Sequence, residues 1–185
     1  FVPPVTWYNP EDLKNIKTGL KIEAHLMVQN PESKTKEWIN SGVDRVLIHY
    51  ESSSPSHILE MIENLKLAGI EVGLALEMET DFNDIHELIE KVDSVQFMSI
   101  DEIGYYGQAF DARVIPKIIS FKKAFPNKKI GVDGGVNFES AKELLDIGVD
   151  RLAVGSIIFK SDDIKNTILK LQNLKQIKPR ESWVV

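Results

Sequence analysis

The chain has no cysteine. Disulfides and thiolate metal sites are therefore excluded, and any metal must be held by histidine and carboxylate. The absence fits a reducing compartment such as the cytoplasm. No apolar run approaches the ~20 residues of a membrane helix, and no stretch has the layout of a signal peptide. There is no basic stripe either: 22 Lys and Arg are scattered among 28 acids, for a net charge of −6. That balance argues against nucleic acid and against an anionic membrane surface as partners. It leaves room for a local anion site, because backbone N–H groups hold phosphate without net positive charge. Long linkers and low-complexity segments are missing. Position 1 is Phe rather than Met, so the native start is expected upstream.

What is present suits one core. Of 185 residues, 43% are hydrophobic, enough for one domain spanning 1–185. Short apolar runs alternate with amphipathic stretches. Strands are expected near 20–28, 44–49, 70–76, 94–99, 128–133 and 150–155. Helices are expected near 32–41, 55–68, 82–91, 111–124, 137–147 and 161–174. Runs such as Val46-Leu47-Ile48 read as apolar on both faces, which suits a parallel sheet with helical crossovers. Gly42, Gly69 and Gly148 each follow a helix and precede an apolar residue, the pattern of a left-handed C-cap. Asn30, Asp81 and Asn137 are placed to cap helix starts. Residues 1–4 read as a rigid loop and 10–16 as a short helix opened by Pro10. The tail 175–185 is basic, then ends in Trp183-Val184-Val185, an apolar end that either docks or frays. Six βα units are visible, where a closed barrel has eight.

On the residues alone, two positions carry chemistry. His25 stands at a strand end, as a ligand or as a hydrogen-bonded structural histidine. Asp133 precedes two glycines at another strand end, as a catalytic carboxylate or as an Asx-turn residue. Gly134-Gly135 and Gly155-Ser156 follow the last two strands, where barrels commonly bind phosphate and where glycine lets backbone approach an anion. His49 reads as a residue that orients a neighbour. His57 and His86 read as solvated helix faces.

Four stretches, in order and at the right spacing, resemble ribulose-phosphate 3-epimerases. They are Ile22-Glu23-Ala24-His25-Leu26-Met27-Val28, Val46-Leu47-Ile48-His49-Tyr50-Glu51, Gly131-Val132-Asp133-Gly134-Gly135-Val136 and Val154-Gly155-Ser156-Ile157-Ile158-Phe159. Phe1-Val2-Pro3 is similar to the loop after that family's second strand. The resemblance runs from residue 1 to about 172. It implies a phosphate-binding (β/α)8 TIM barrel that lacks its first strands in this chain. It also implies an isomerase of the pentose phosphate pathway that interconverts D-ribulose 5-phosphate and D-xylulose 5-phosphate.

The resemblance further implies a divalent metal held by two His and two Asp, with Zn, Fe, Mn and Co equally admitted. His25 matches the second of those histidines. Asp133 matches the aspartate that is both metal ligand and acid/base. The other His and Asp belong to a strand ahead of Phe1. Gly134, Gly135, Gly155 and Ser156 match phosphate-binding positions, and Met27, Met98, Gly107 and Gln108 match the substrate pocket. The partner is a small sugar phosphate, and a homo-oligomer is compatible.

The sequence departs from the family in two loops. Where the family has Pro-Gly-Phe-Gly-Gly-Gln, this chain has Asp101-Glu102-Ile103-Gly104-Tyr105-Tyr106-Gly107-Gln108. Near Glu77-Met78-Glu79-Thr80, two glutamates replace a Pro-containing turn. Both changes add negative charge at the mouth. They keep open a barrel of altered substrate or one that binds without catalysis. The decarboxylase and hexulose-phosphate synthase branch carries Asp-x-Lys-x-x-Asp on a strand where this chain has Lys21-Ile22-Glu23-Ala24-His25, so it ranks last.

Overall fold

The structure, a computed structural model, describes Val2, residues 9–174 and the backbone of Trp183–Val184. The remaining terminal residues, with most of the expected rigid 1–4 loop and of the basic tail, lie outside the described set.

Six parallel strands appear where the apolar runs place them: β1 (Lys21–Leu26), β2 (Arg45–His49), β3 (Glu71–Leu76), β4 (Ser94–Met98), β5 (Lys129–Asp133) and β6 (Arg151–Ala153). A two-residue strand, β7 (Trp183–Val184), pairs parallel with Lys21 and Ile22, so the apolar C-terminal end does meet the sheet. The sheet order is β6-β5-β4-β3-β2-β1-β7. Sequential parallel neighbours require crossovers, and these are α1 (Thr35–Ile39), α2 (Pro55–Leu67), α3 (His86–Lys91), α4 (Val114–Ala124) and α5 (Phe138–Asp146). After β6 come a four-residue helix, α6 (Ser156–Phe159), and then α7 (Ile164–Gln172).

The expected helix ends hold in part. Gly42, Gly69 and Gly148 adopt φ of 85°, 78° and 91°, the left-handed region that a C-cap requires. Asp81 and Asn137 accept backbone N–H groups of their helices, and Asn137 forms a capping box with Ser140. Asn30 differs: it sits at φ 51° and makes no side-chain cap bond. The segment it precedes, Pro31–Lys34, is 3-10 helix before α1, and Phe82–Ile85 is likewise 3-10 before α3.

A repeated device locks each strand pair. Asp44, Asp93 and Asp150 stand one residue before β2, β4 and β6. Their carboxylates accept the N–H of Ile22, Val72 and Ile130, at 2.8, 2.8 and 3.0 Å. Their own N–H groups return to the carbonyls of the same three residues at 2.8–2.9 Å. An even strand is thereby stapled to the odd strand before it, three times over.

Alternation decides what faces where. Val46, Ile48, Val72, Leu74, Val95, Phe97, Ile130 and Val132 pack under the helices in one apolar core. Phe97 and Phe82 both meet Phe121 of α4 edge to face, with centroids 5.1 and 5.2 Å apart. The opposite face is apolar only in part: Leu47, Gly73 and Ala75 keep the runs 46–48 and 72–76 apolar on both sides as expected, but elsewhere it is polar, which corrects the reading for the sheet as a whole. It carries Glu23 and His25 from β1, Arg45, Leu47 and His49 from β2, Glu71 from β3, Gln96 from β4, Asp133 from β5 and Arg151 from β6. These inner residues form two polar layers. Near the strand starts, fully buried Arg45 bonds Glu23 and Glu71 (2.8 Å to the latter), and Arg151 reaches Glu71 at 3.3 Å and Glu23 at 3.6 Å. Leu47 closes off this layer. It fits because residue 73 is glycine: a Cβ there would sit 2.2 Å from Leu47 Cδ2.

Candidate active site

The second polar layer lies at the C-terminal ends of the strands, where barrel enzymes keep their chemistry. His25 of β1 and Asp133 of β5 are separated by three strands. At about 4.8 Å per strand, a flat sheet would hold them roughly 19 Å apart. His25 Nδ1 instead lies 3.2 Å from Asp133 Oδ2. The sheet curls enough to bring its two sides together, and the two residues singled out in the sequence meet.

His25 also contacts His49 of β2, Nε2 to Nε2 at 2.8 Å. The ring planes are 6° apart and the centroids 4.9 Å apart. That spacing is close to the roughly 5 Å of two coplanar imidazoles sharing an in-plane N–H···N bond, and too long for face-to-face stacking. His49 is fully buried, and its Nδ1 faces Glu51 Oε2 at 3.5 Å without the geometry of a hydrogen bond. Glu51 Oε1 accepts from the Glu77 N–H at 2.9 Å and from the Thr80 hydroxyl. A continuous line thus runs Asp133, His25, His49, Glu51 and the 77–80 turn. Lys117 of α4 fixes that turn by donating to the carbonyls of Glu77 and Met78, both at 2.8 Å.

Electrostatics differ along the line. Burial pushes the His49 pKa down, beyond what Glu51 restores. Burial would raise Glu51, but nearby His49 together with the bonds from the Thr80 hydroxyl and the Glu77 N–H outweighs it and holds its pKa below the ordinary glutamate value. Glu77 is pushed up, by burial first and then by the charge of Glu51. His49, Glu51 and Glu77 bring ligand-type atoms within 4.8 Å of one another.

The other expected residues border this line. Met98 is buried and paired with Asp133 across β4 and β5, and Met27 is half-buried just past β1. Ser99 pins the start of the glycine turn: its N–H bonds the Asp133 carbonyl at 2.7 Å and its hydroxyl the Gly134 carbonyl at 2.6 Å. Gly135 has φ 62°, and a Cβ there would lie 2.3 Å from the Phe110 nitrogen. Its glycine is thus already demanded by packing against the 99–110 loop. Gly155 has open space around it and leads into Ser156 and α6. Gly107 faces Lys160 just after α6, so the loops after β4, β5 and β6 share one corner of the mouth.

Gln108 staples its own loop, with Oε1 accepting from the Glu102 N–H at 3.3 Å and Nε2 donating to the carbonyls of Glu102 and Tyr105. The acidic mouth is partly neutralised, because Arg113 pairs with Asp101, Asp111 and Glu79. The sequence reading assigned no role to Glu51, Gln96 or Lys117, and gave Glu77 only as added negative charge at the mouth. The signal that was available is the spacing His49-x-Glu51, which sets Glu51 in the 3-10 turn that directly follows β2.

The family described as ribulose-phosphate 3 epimerase matches residues 1–159. The chain belongs to the ribulose-phosphate 3-epimerase family. The ribulose-phosphate 3-epimerase of Helicobacter pylori is 34% identical over 183 residues, covering 95% of this chain and 82% of that protein. The chloroplastic ribulose-5-phosphate-3-epimerase of Arabidopsis thaliana is 29% identical over 182 residues, and this chain spans 64% of its length. Among solved structures, KGPDC from Streptococcus mutans superposes with a TM-score of 0.70. That match covers 89% of this chain and 76% of the other at 10% identity, and it shows a shared barrel fold. Epimerase-family membership also accounts for the order of the four motifs. Among the described residues, no helix is long and apolar enough to cross a membrane.

Proposed function

We propose that this barrel, with the strand that carries the family's other His and Asp in place, works as a ribulose-phosphate 3-epimerase, moving a proton at the carbon next to the ketone of a pentulose 5-phosphate. D-ribulose 5-phosphate and D-xylulose 5-phosphate are the substrate pair, in a cytoplasmic setting. The observation that carries this reading is the 3.2 Å approach of His25 to Asp133 at the strand ends. Asp133 is the carboxylate that takes or returns the proton. Inversion needs a second acid/base on the opposite face of the planar intermediate, which in the family stands on the strand ahead of Phe1.

The donor set fits a divalent ion. Ligands at about 2.0–2.1 Å in tetrahedral geometry lie roughly 3.3 Å apart, close to the His25–Asp133 spacing. His25 and Asp133 are the residues of this chain that would hold it. Such an ion supplies Lewis-acid stabilisation of the charge that develops on the substrate oxygens. Gly134, Gly135, Gly155 and Ser156 offer backbone N–H groups to the phosphate, with Gly107 at the same corner. Met27 and Met98 keep the reacting end apolar.

A second reading, binding without turnover, is favoured by exposed Tyr105 and Tyr106 on the loop after β4. One experiment separates the two. D-ribulose 5-phosphate incubated in D2O with the protein extended to include the strand ahead of Phe1 is followed by NMR. Deuterium at the carbon beside the ketone together with xylulose 5-phosphate is expected, and Asp133→Asn should slow both by about 10²–10⁴-fold. Full exchange by that variant would remove Asp133 from its role. Phosphate binding with no exchange by the unaltered protein would favour the second reading.

A further inference from the structure

We propose that Lys160 is a phosphate-recognition residue, adding one full positive charge to a corner otherwise built from backbone N–H groups. The proposal rests on the phosphate corner described above. Lys160 stands just past α6, and its N–H donates to the Ser156 carbonyl at 3.0 Å. It is thus one helical turn beyond Ser156 and on the same side of the helix. Its ammonium reaches across to the loop after β4: a Cβ on Gly107 would lie 3.4 Å from Lys160 Nζ. That loop is in turn packed on the glycine turn after β5, since a Cβ on Gly135 would lie 2.3 Å from the Phe110 nitrogen and 2.5 Å from the Ala109 carbonyl carbon. One lysine therefore ties together the three loops whose glycines are assigned to the phosphate. Gly107 has φ 82°, and among the described residues nothing but Lys160 comes within 4 Å of its Cβ position. The ammonium lies over bare backbone with open space beside it.

Charge balance at the rim points to the partner. Arg113 is engaged three times, with Glu79, Asp101 and Asp111. Lys117 donates to the carbonyls of Glu77 and Met78. Lys160 differs: it is exposed, and among the described residues its Nζ makes no hydrogen bond and no ion pair. Glu102, on the same loop as Gly107, is an exposed acid that no described cation meets. A phosphate dianion entering this corner meets that negative charge, and backbone dipoles alone would have to offset it. A compact ammonium at short range supplies the missing term, because lysine serves phosphate as a point charge. A lysine held only by solvent would be indifferent to the anion's charge and to its own replacement by a neutral residue.

Calorimetric titration of the chain with inorganic phosphate at pH 8, where the dianion dominates, tests this. Lys160→Gln should weaken binding about 10-fold at low salt, and the loss should shrink as added salt screens the charge. Lys160→Arg keeps the charge and should keep most of the affinity. Lys142→Gln, an exposed position on α5, should bind phosphate like the unaltered protein. In the protein extended to include the strand ahead of Phe1, the effect of Lys160→Gln should fall on KM for D-ribulose 5-phosphate rather than on kcat, as loss of uniform binding does. Equal phosphate affinity in Lys160→Gln and the unaltered protein would overturn the proposal and leave the backbone cradle standing. An equal loss in Lys142→Gln would also overturn it, by showing an effect of net charge alone. No phosphate binding by the unaltered protein would remove the corner itself, and Lys160 with it.

Discussion

Glu77 shows how a single side chain at the mouth responds to its neighbours. Its carboxyl is pushed above the ordinary glutamate value near 4.5, first by burial and then by the charge of Glu51. A carboxyl with a raised native pKa binds its proton more tightly when folded. Its contribution is fully present below the unfolded value and is lost as pH rises through the native one. Glu77→Gln removes the ionisation and leaves the backbone N–H that bonds Glu51 untouched. The variant should therefore gain thermal stability relative to the unaltered protein on going from pH 4 to pH 7. Melting curves at the two pH values check this, and a difference that shrinks with pH would contradict it. The opposite shift at Glu51, held down by nearby His49 and by the two bonds it accepts, keeps that residue ionised while Glu77 titrates. Neither shift was legible in the sequence, where Glu51 is two residues past a histidine and Glu77 reads as one more charge in an acidic loop.

At the scale of elements, the strands were legible and their inner face was not. Arg45-Val46-Leu47-Ile48-His49 reads as an apolar run bounded by polar residues, so both ends look like strand limits. Inside a curled sheet those ends turn inward with Leu47, on the same side, and the run is an alternating strand after all. The Gly caps after α2 and α5 were visible because glycine has a backbone reason to be there. Of the stapling aspartates, Asp44 and Asp150 were visible only as residues following Gly42 and Gly148, and Asp93 follows no glycine, since a carboxylate bond to a neighbouring strand depends on register. The four-residue α6 and the 3-10 turns are too short for any periodicity. The buried layer at the strand starts gives a test. Burial raises the Glu23 pKa more than Arg45 lowers it, so this ion pair is held by geometry at an electrostatic disadvantage. Arg45→Met would leave Glu23 buried with only the 3.6 Å contact to Arg151. A loss of about 3–5 kcal/mol is expected from urea unfolding, and adding Glu23→Gln should recover part of it. A loss below about 1 kcal/mol would mean that Arg151 already satisfies Glu23.

The molecule as a whole is a sheet curled far enough to close its site but with its two ends unjoined among the described residues. One end is β6, three half-buried residues long. At the other, β1 pairs with β2 through Glu23–Leu26, and β7 covers the far side only at Lys21 and Ile22. No described strand lies beside Glu23–Leu26 on that side, and His25 is among them. The functional line thus hangs between a fully buried strand, β2, and an edge. Opening free energy follows local burial and shared hydrogen bonds, so it should fall outward from the centre of the sheet. Native-state amide hydrogen exchange should find β2, β3 and β4 the slowest. Glu23–Leu26 and Arg151–Ala153 should exchange at least about 100-fold faster, since edge segments open without global unfolding. Unpaired edges also invite pairing between molecules, so protection of Glu23 and His25, which alternation turns away from β2, should rise with protein concentration while that of Leu74 and Phe97 stays constant. A longer chain or an added peptide that supplies a strand along β1 should raise the same two amides and, by holding His25 still, tighten Zn2+ binding in parallel. Equal protection across all six strands at every concentration would show instead that the gap is sealed by residues outside the described set.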